Sequence, residues 1–179
     1  MKKITLILLL IIAIKSAAQD KMVTNEGIIH FEASIPLFEE VKASNEKTTC
    51  ILILKTGQIA CWMNIKDFKF QRSLMEAHFN QNYMESDRFP RAIFKGRIEK
   101  FDLKNINSVA KEFQINGQIT IHGRTKKIEI NGFVKKVDKR IELTSEFPLN
   151  TDDFKIEIPF IVRSKISKSV NTQLICVLQ

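Results

Sequence analysis

Apolar and polar residues alternate over most of the chain, and this period of two restricts the possible fold more than any other feature of the sequence. In residues 27–35, Ile29, Phe31 and Ala33 occupy alternate positions with polar residues between them. The same alternation recurs in residues 92–98, 113–121 and 141–147. It is typical of antiparallel strands that bury one face and expose the other.

Turn signals separate these segments at the spacing of a meander, at Thr56-Gly57, residues 104–108, His122-Gly123 and Asp138-Lys139. About eight strands result, and an antiparallel sheet of that size usually closes because closure removes its edges. The sequence therefore predicts an all-β, mainly antiparallel fold: an eight-stranded barrel. Side chains fill the interior of such a barrel or leave it open for one ligand, and both possibilities stay open at this point.

One helix interrupts the strands at residues 73–84. Ser73 is the predicted N-cap, and Glu76 three residues later completes a capping box. An apolar stripe at helical spacing then comprises Met75, Phe79 and Tyr83. A second, shorter helix or turn is predicted within residues 160–169, before the last strand.

The segment 48–65 departs from the alternation because it is apolar on both faces around Trp62. Something besides the barrel core must cover it, and the helix is the candidate. We expect an apolar cavity bounded by this hairpin, strand 92–98 and the helix. Its predicted wall residues are Phe31, Phe94, Ile98 and Ile119, with Trp62, Met75, Phe79 and Tyr83 closing it. Room in the wall is expected at the strand glycines Gly96, Gly117 and Gly132.

Residues 1–18 have the organisation of a secretory signal peptide. A basic start and an apolar run over residues 4–14 precede the small-residue cleavage site Ser16-Ala17-Ala18. The apolar run is too short to span a bilayer. We expect an exported protein, periplasmic or secreted, whose mature residues 19–179 form a single domain. Loss of the three signal lysines lowers the formal net charge from +8 to +5, which weakly favours anionic partners.

The three cysteines are expected to be small buried apolar residues rather than members of an essential disulfide. If Thr56-Gly57 forms a two-residue turn, Cys61 faces Leu52 and Cys50 lies diagonal to Cys61 on the same face. Diagonal partners lie about 7–8 Å apart, too far for an easy disulfide. Cys176 is left as the odd cysteine.

No motif indicates a metal, nucleic-acid or catalytic site. His30, His78 and His122 lack metal-ligand spacing, and the basic residues are scattered rather than interleaved with aromatic residues. Glu85 and Asp87 have no neighbouring nucleophile, which favours solvated charges over acid–base catalysis. We expect a protein that is not an enzyme and uses no metal or cofactor. The alternatives are a protein-interaction partner of a membrane protein and, less favoured, a hydrolase.

Two segments resemble the YceI family of exported lipid-binding proteins. Residues 74–96 match the family's short histidine-containing helix and its Phe/Tyr-Pro-x-small-x-Phe strand, at His78, Phe79, Tyr83, Phe89, Pro90, Ala92 and Phe94. Residues 117–130 match its Gly-x-Leu-Thr-hydrophobic-x-Gly-x-Thr-Lys segment, at Gly117, Ile119, Thr120, Ile121, Gly123, Thr125 and Lys126. The two motifs together are fairly specific for this family.

A third segment, FPLNTDDFKIEIP, is similar to the family's stretch of an Asp, an aromatic residue and a Gly. Asp153 and Phe154 match it, and Lys155 stands where Gly is usual. The resemblance covers residues 27–179. It implies an extended lipocalin-like barrel whose tunnel holds a long apolar chain such as a polyisoprenoid, with His78 and Asp153 as candidate head-group contacts. Transient contact with a membrane surface and oligomerisation stay open.

Overall fold

The computed structural model describes residues 21–179, in which nine β-strands run antiparallel to their neighbours. The strands are β1 (Lys21–Ser34), β2 (Lys42–Ile53), β3 (Gln58–Asn64), β4 (Lys69–Phe70), β5 (Arg91–Ile98), β6 (Lys111–Ile121), β7 (Arg124–Val137), β8 (Arg140–Asn150) and β9 (Ile166–Leu178). Helix α1 (Ser73–His78) continues as a π-helical turn (Phe79–Tyr83), and 3₁₀ turns cover Ile65–Asp67, Leu103–Asn105, Thr151–Phe154 and Phe160–Val162. The predicted signal peptide lies outside the described residues.

The eight long strands close into a barrel in the order β1-β9-β8-β7-β6-β5-β3-β2, and pairing of β1 with β2 completes the ring. The short strand β4 attaches to β2. The inward residues follow the predicted alternation, since Ile29, Ile119 and Leu143 are all buried. The predicted antiparallel barrel is confirmed, with its central helix and its short C-terminal helical turn.

The connections between strands sort to the two ends of the barrel. One end, which we call the closed end, carries the segments 54–57, 99–110 and 138–139. The other, which we call the open end, carries the segments 35–41, 65–90, 122–123 and 151–165. The helix and most of the irregular backbone therefore lie at the open end.

Side chains fill the barrel at the closed end. Five residues there have 1 % exposure or less: Leu52, Ile98, Val134, Ile141 and Leu178. The segment 99–110 folds across this end, where Ile106 is buried and Phe101 packs against the core. Such complete burial is typical of a close-packed protein core.

The turn between β2 and β3 is longer than predicted. It contains four residues, 54–57, and the N–H of Gly57 donates to the carbonyl of Ile53 at 2.9 Å. Gly57 has a φ of 68°, in the left-handed region that favours glycine. The predicted two-residue turn was therefore wrong. It would have shifted the pairing of β2 with β3 by two residues. Cys50 pairs directly with Cys61, and the two form a disulfide with Cα atoms 4.2 Å apart.

The predicted capping box on the helix is also wrong. Ser73 is the first helical residue, so Arg72 occupies the N-cap position, and its side chain makes no capping hydrogen bond. The Glu76 carboxylate instead accepts a hydrogen bond from Lys69 Nζ at 2.7 Å, which ties the helix to β4. Within residues 21–179 no helix is long and apolar enough to cross a membrane.

Candidate functional site: an apolar cavity at the open end

A cavity of about 460 Å³ lies inside the barrel toward the open end. Aliphatic and aromatic side chains from β1, β3 and β5–β9 form most of its wall, and α1 with the turn after it covers one side. Exposed residues from several open-end segments belong to its lining, among them Glu39, Arg72 and Lys165, so the cavity opens to solvent at this end. Its size falls within the roughly 300–1,000 Å³ that small-molecule sites occupy.

The structure places most of the predicted wall residues on this cavity. They are Phe31, Met75, Phe79, Tyr83, Phe94 and Ile119. His78, predicted as a head-group contact, is exposed and lines the cavity at its mouth. Residues from 59–65 of the hairpin, Phe94 of strand 92–98 and the helix bound the cavity as expected, but β1 and β6–β9 form much of its wall and no residue of 48–53 lines it. That these residues contact a ligand remains a prediction.

Trp62 does not close the cavity. Cys61 and Met63, its neighbours on β3, line the cavity, and Trp62 therefore points to the outer face of the barrel. Alternation alone was unable to choose between the faces because the hairpin is apolar on both. On the outer face Trp62 pairs across the sheet with Thr49 and Ile93.

Ile98 and Asp153 also lie outside the cavity lining. Ile98 points inward as predicted, but it sits in the packed core at the closed end and is 1 % exposed. Asp153 is exposed, and its carboxylate forms an ion pair with Lys126 on the barrel surface, with Nζ and Oδ1 2.8 Å apart. Neither residue is placed to touch a molecule in the cavity.

Four phenylalanine rings form a cluster beneath the helix. The Phe31 ring stacks on Phe79 at 5.5 Å between centroids and meets the edges of Phe68 at 5.3 Å and Phe70 at 5.8 Å. Phe68 and Phe70 line the cavity but were not predicted from the sequence. The Phe-Lys-Phe alternation at residues 68–70 was the available signal. Packed rings of this kind hold one another in place, and here they fix one wall of the cavity.

The strand glycines do not leave empty room in the wall. Gly96 and Gly117 pair with each other across β5 and β6, and the Phe94 ring lies over both. A Cβ atom added at either glycine would come within 2.7 Å of that ring. The glycines thus let Phe94 lie flat against the sheet, and the cavity remains open above the ring.

Polar groups occur mainly near the mouth. Glu39 and Arg72 form an ion pair across it. Deeper in the wall, the Ser145 hydroxyl donates to the carbonyl of Asn131 at 2.6 Å. Partial burial raises the pKa of the Tyr83 phenol, which keeps it neutral across the physiological range. The wall therefore presents little charge to a molecule inside the cavity.

A cluster of three cysteines lies where the cavity floor meets the closed end. The Sγ atoms of Cys50, Cys61 and Cys176 lie within 4.8 Å of one another, and all three residues are buried. Burial raises the pKa of the Cys176 thiol to about 12. Metals bind thiolates, and the disulfide between Cys50 and Cys61 removes two of the three thiols. The cluster therefore lacks the donor set of a metal site as long as this disulfide is intact.

The YceI-like domain profile matches residues 21–177. No curated protein sequence is similar enough to match this chain. A polyisoprenoid binding domain from Saccharophagus degradans has a similar structure, with a TM-score of 0.76 and 12 % identity over 89 % of this chain and 98 % of that one. BcnA from Burkholderia cenocepacia has a TM-score of 0.70 and 10 % identity over 86 % and 96 %. A YceI protein from Campylobacter jejuni has a TM-score of 0.64 and 16 % identity over 80 % and 86 %. The TM-scores show that these proteins share one fold with this chain, and at identities this low the similarity extends to the fold alone.

Proposed function

Because this chain belongs to the family of YceI-like domains, we propose that it is a non-catalytic binding protein that holds one long apolar molecule, such as a polyisoprenoid or another lipid, inside its barrel. The observation that carries the proposal is the cavity of about 460 Å³, which is walled by aliphatic and aromatic side chains and opens at one end. The similar domain from Saccharophagus degradans is named as polyisoprenoid-binding, which supports a ligand of this class.

The physical basis is removal of apolar surface from water. Each square ångström of apolar ligand surface that enters the cavity contributes about 25 cal/mol. The cavity also argues against the alternative of a packed barrel that serves only as a protein-interaction partner. Side chains at ordinary core density leave few voids larger than a water molecule, and this cavity is far larger.

The polar groups of the wall favour binding over hydrolysis. The Ser145 hydroxyl donates its hydrogen bond to a backbone carbonyl rather than to a base, and Cys61 is held in the disulfide. A hydrolytic nucleophile needs a base within hydrogen-bond reach. The arrangement of these two candidate nucleophiles supports a site that holds its ligand unchanged.

Export to the periplasm or the medium is part of the proposal. The signal-peptide organisation of residues 1–18 supports it, and so does the disulfide between Cys50 and Cys61, since disulfides persist in oxidising compartments and are rare in the cytosol. Sequencing the N-terminus of the protein from a periplasmic extract checks this part. We expect it to begin at or within a residue or two of Gln19, and residues 1–18 intact on soluble protein would contradict export.

Organic extraction of the purified protein, followed by mass spectrometry, tests the ligand. We expect one long-chain apolar compound to co-purify in near-stoichiometric amount. The variant Ala33→Phe should carry less of this compound, because Ala33 is buried in the cavity wall and a larger side chain there takes up ligand space. An extract without such a compound, together with no uptake when a polyprenol is supplied from ethanol, would refute the proposal.

A further inference from the structure

Exposed apolar side chains concentrate around the mouth of the cavity. Phe160 and Ile161 are 84 % and 85 % exposed, and Leu37, Phe38 and Leu74 are exposed as well. All five lie on segments of the open end. We call these five residues the apolar rim. An exposed concentration of this kind marks an interaction surface.

Contacts between the rim segments show that they surround one opening. Ser34, at the end of β1, pairs with Ile166, so the segment 35–41 lies beside the segment 159–165. The ion pair between Glu39 and Arg72 joins the first of these segments to the start of α1. The rim residues therefore lie on neighbouring segments at the mouth, beside the passage by which an apolar molecule would enter or leave the cavity.

Among the charged residues on the open-end segments, those without an ion-pair partner are mainly positive. The segment 159–168 contains Arg163, Lys165 and Lys168 and no acid. Lys168 pairs with Asp152, whereas Arg163 and Lys165 pair with no carboxylate anywhere in residues 21–179. In the segment 35–41 both acids are neutralised by cations, Glu39 by Arg72 and Glu40 by Lys42. Lys155 is a third base without an ion pair within residues 21–179, and Glu157 is the one acid of the open-end segments without one. The unpaired charge at the open end is therefore net basic.

We propose that the apolar rim docks on the surface of a lipid bilayer that carries anionic head groups, with the mouth of the cavity facing the membrane. Apolar side chains enter the boundary between head groups and acyl chains, and basic residues beside them attract anionic lipids. The inference rests on the proposed function, because a long apolar ligand that moves between bilayer and cavity avoids water only if the mouth meets the bilayer.

Co-sedimentation with vesicles tests the docking surface. The wild-type protein is expected to bind vesicles of equal parts phosphatidylcholine and phosphatidylglycerol, less at high salt, and to bind weakly to phosphatidylcholine alone. The double variant Phe160→Ser/Ile161→Ser should bind the mixed vesicles at least about tenfold more weakly, because two large apolar side chains no longer leave water. Neither residue lines the cavity, so uptake of a polyprenol from ethanol should be unchanged.

The matched control lies at the other end of the barrel. Val109 and Phe133 are 70 % and 47 % exposed there, and Val109→Ser/Phe133→Ser removes one aliphatic and one aromatic side chain as the rim variant does. We expect this control to bind vesicles as the wild type does. Equal losses in both double variants would overturn the proposal, because the effect would then not belong to the rim.

Two further outcomes separate this inference from the proposed function. Wild-type protein that takes up polyprenol from ethanol but does not bind the mixed vesicles would overturn the docking surface and leave the carrier function standing. Sedimentation velocity tests whether the rim instead mediates self-association. A wild-type dimer that Phe160→Ser/Ile161→Ser converts to a monomer, without vesicle binding, would make the rim a contact between two copies of the chain and would also overturn the proposal.

Discussion

The two ends of the barrel are built from the same eight strands with the same inward alternation, yet one end is solid and the other is hollow. At the closed end, Val134 and Leu178 have no exposed surface, and Phe101 packs against the same core. At the open end, Phe31 stacks sideways on Phe79 and Phe94 lies flat against the sheet. Aromatic residues that pack along the wall instead of across the barrel leave the centre free. Side-chain direction, and not apolar content, decides where this barrel is hollow.

Truncating a core residue at the closed end should give the largest effect on stability. Leu52 is fully buried and does not line the cavity, so Leu52→Ala should lower the free energy of unfolding by about 2–5 kcal/mol. Met75→Ala removes a partly exposed side chain of the cavity wall and should cost about 1 kcal/mol or less. Urea unfolding of both variants checks the contrast. Equal costs would mean that the open end is packed as tightly as the closed end.

Reduction of the disulfide between Cys50 and Cys61 should lower the free energy of unfolding by about 2–3 kcal/mol, because the bond closes a loop of 11 residues between adjacent strands. Urea unfolding with and without reductant measures this difference. The variant Cys176→Ala should show the same difference, because Cys176 is not part of the disulfide. In the unreduced, denatured protein, iodoacetamide should label Cys176 alone. A label on Cys61, or no response to reductant, would contradict this pairing at the cavity floor.

Filling the cavity should impair binding more than folding. Ala33→Phe places a ring inside the open end and should abolish most polyprenol uptake, at a stability cost of about 1–3 kcal/mol for overpacking. Ala60→Phe is the matched control, since Ala60 lies on β3 between the cavity-lining residues Ile59 and Cys61 and points to the outer face. Uptake by Ala60→Phe should equal that of the wild type. Normal uptake by Ala33→Phe would place the ligand elsewhere.

The smallest effect is expected at Trp62, the single tryptophan of the chain. Because its indole lies on the outer face, uptake of a polyprenol should leave its emission maximum unchanged. The variant Trp62→Phe/Phe79→Trp moves the tryptophan to the cavity wall. Its emission maximum should shift to shorter wavelength on uptake, since its surroundings become less polar. A blue shift of Trp62 itself would show that the hairpin faces the other way.

Alternation was enough to predict the barrel and to place several residues of the cavity wall. The inward positions of Phe31, Phe94 and Ile119 follow from a period of two, and the placement of Phe79 follows from helical spacing. These predictions hold because each segment has one clearly apolar face, which leaves a single way to bury it.

Where both faces are apolar, or where a turn sets the register, the sequence alone was insufficient. The face of Trp62 was ambiguous because both faces of the hairpin are apolar. The register depends on a four-residue turn that holds Gly57 at positive φ, and a turn shorter by two residues displaces Cys50 from Cys61. Asp153 was placed by family resemblance, but its ion pair with Lys126 holds it on the surface. Tertiary contacts of this kind leave no periodic signal in the chain.

The most direct test of the hollow open end is to map where an apolar chain sits. A polyprenol analogue with a diazirine on its chain is bound to the full-length mature protein, irradiated, and the adducts are located by mass spectrometry of peptides. We expect labelling of wall residues such as Phe79, Phe94 and Ile119, and its loss in Ala33→Phe. Labelling confined to outer-face positions such as Trp62 and Phe133, or no labelling at all, would contradict the claim that the barrel holds its ligand inside.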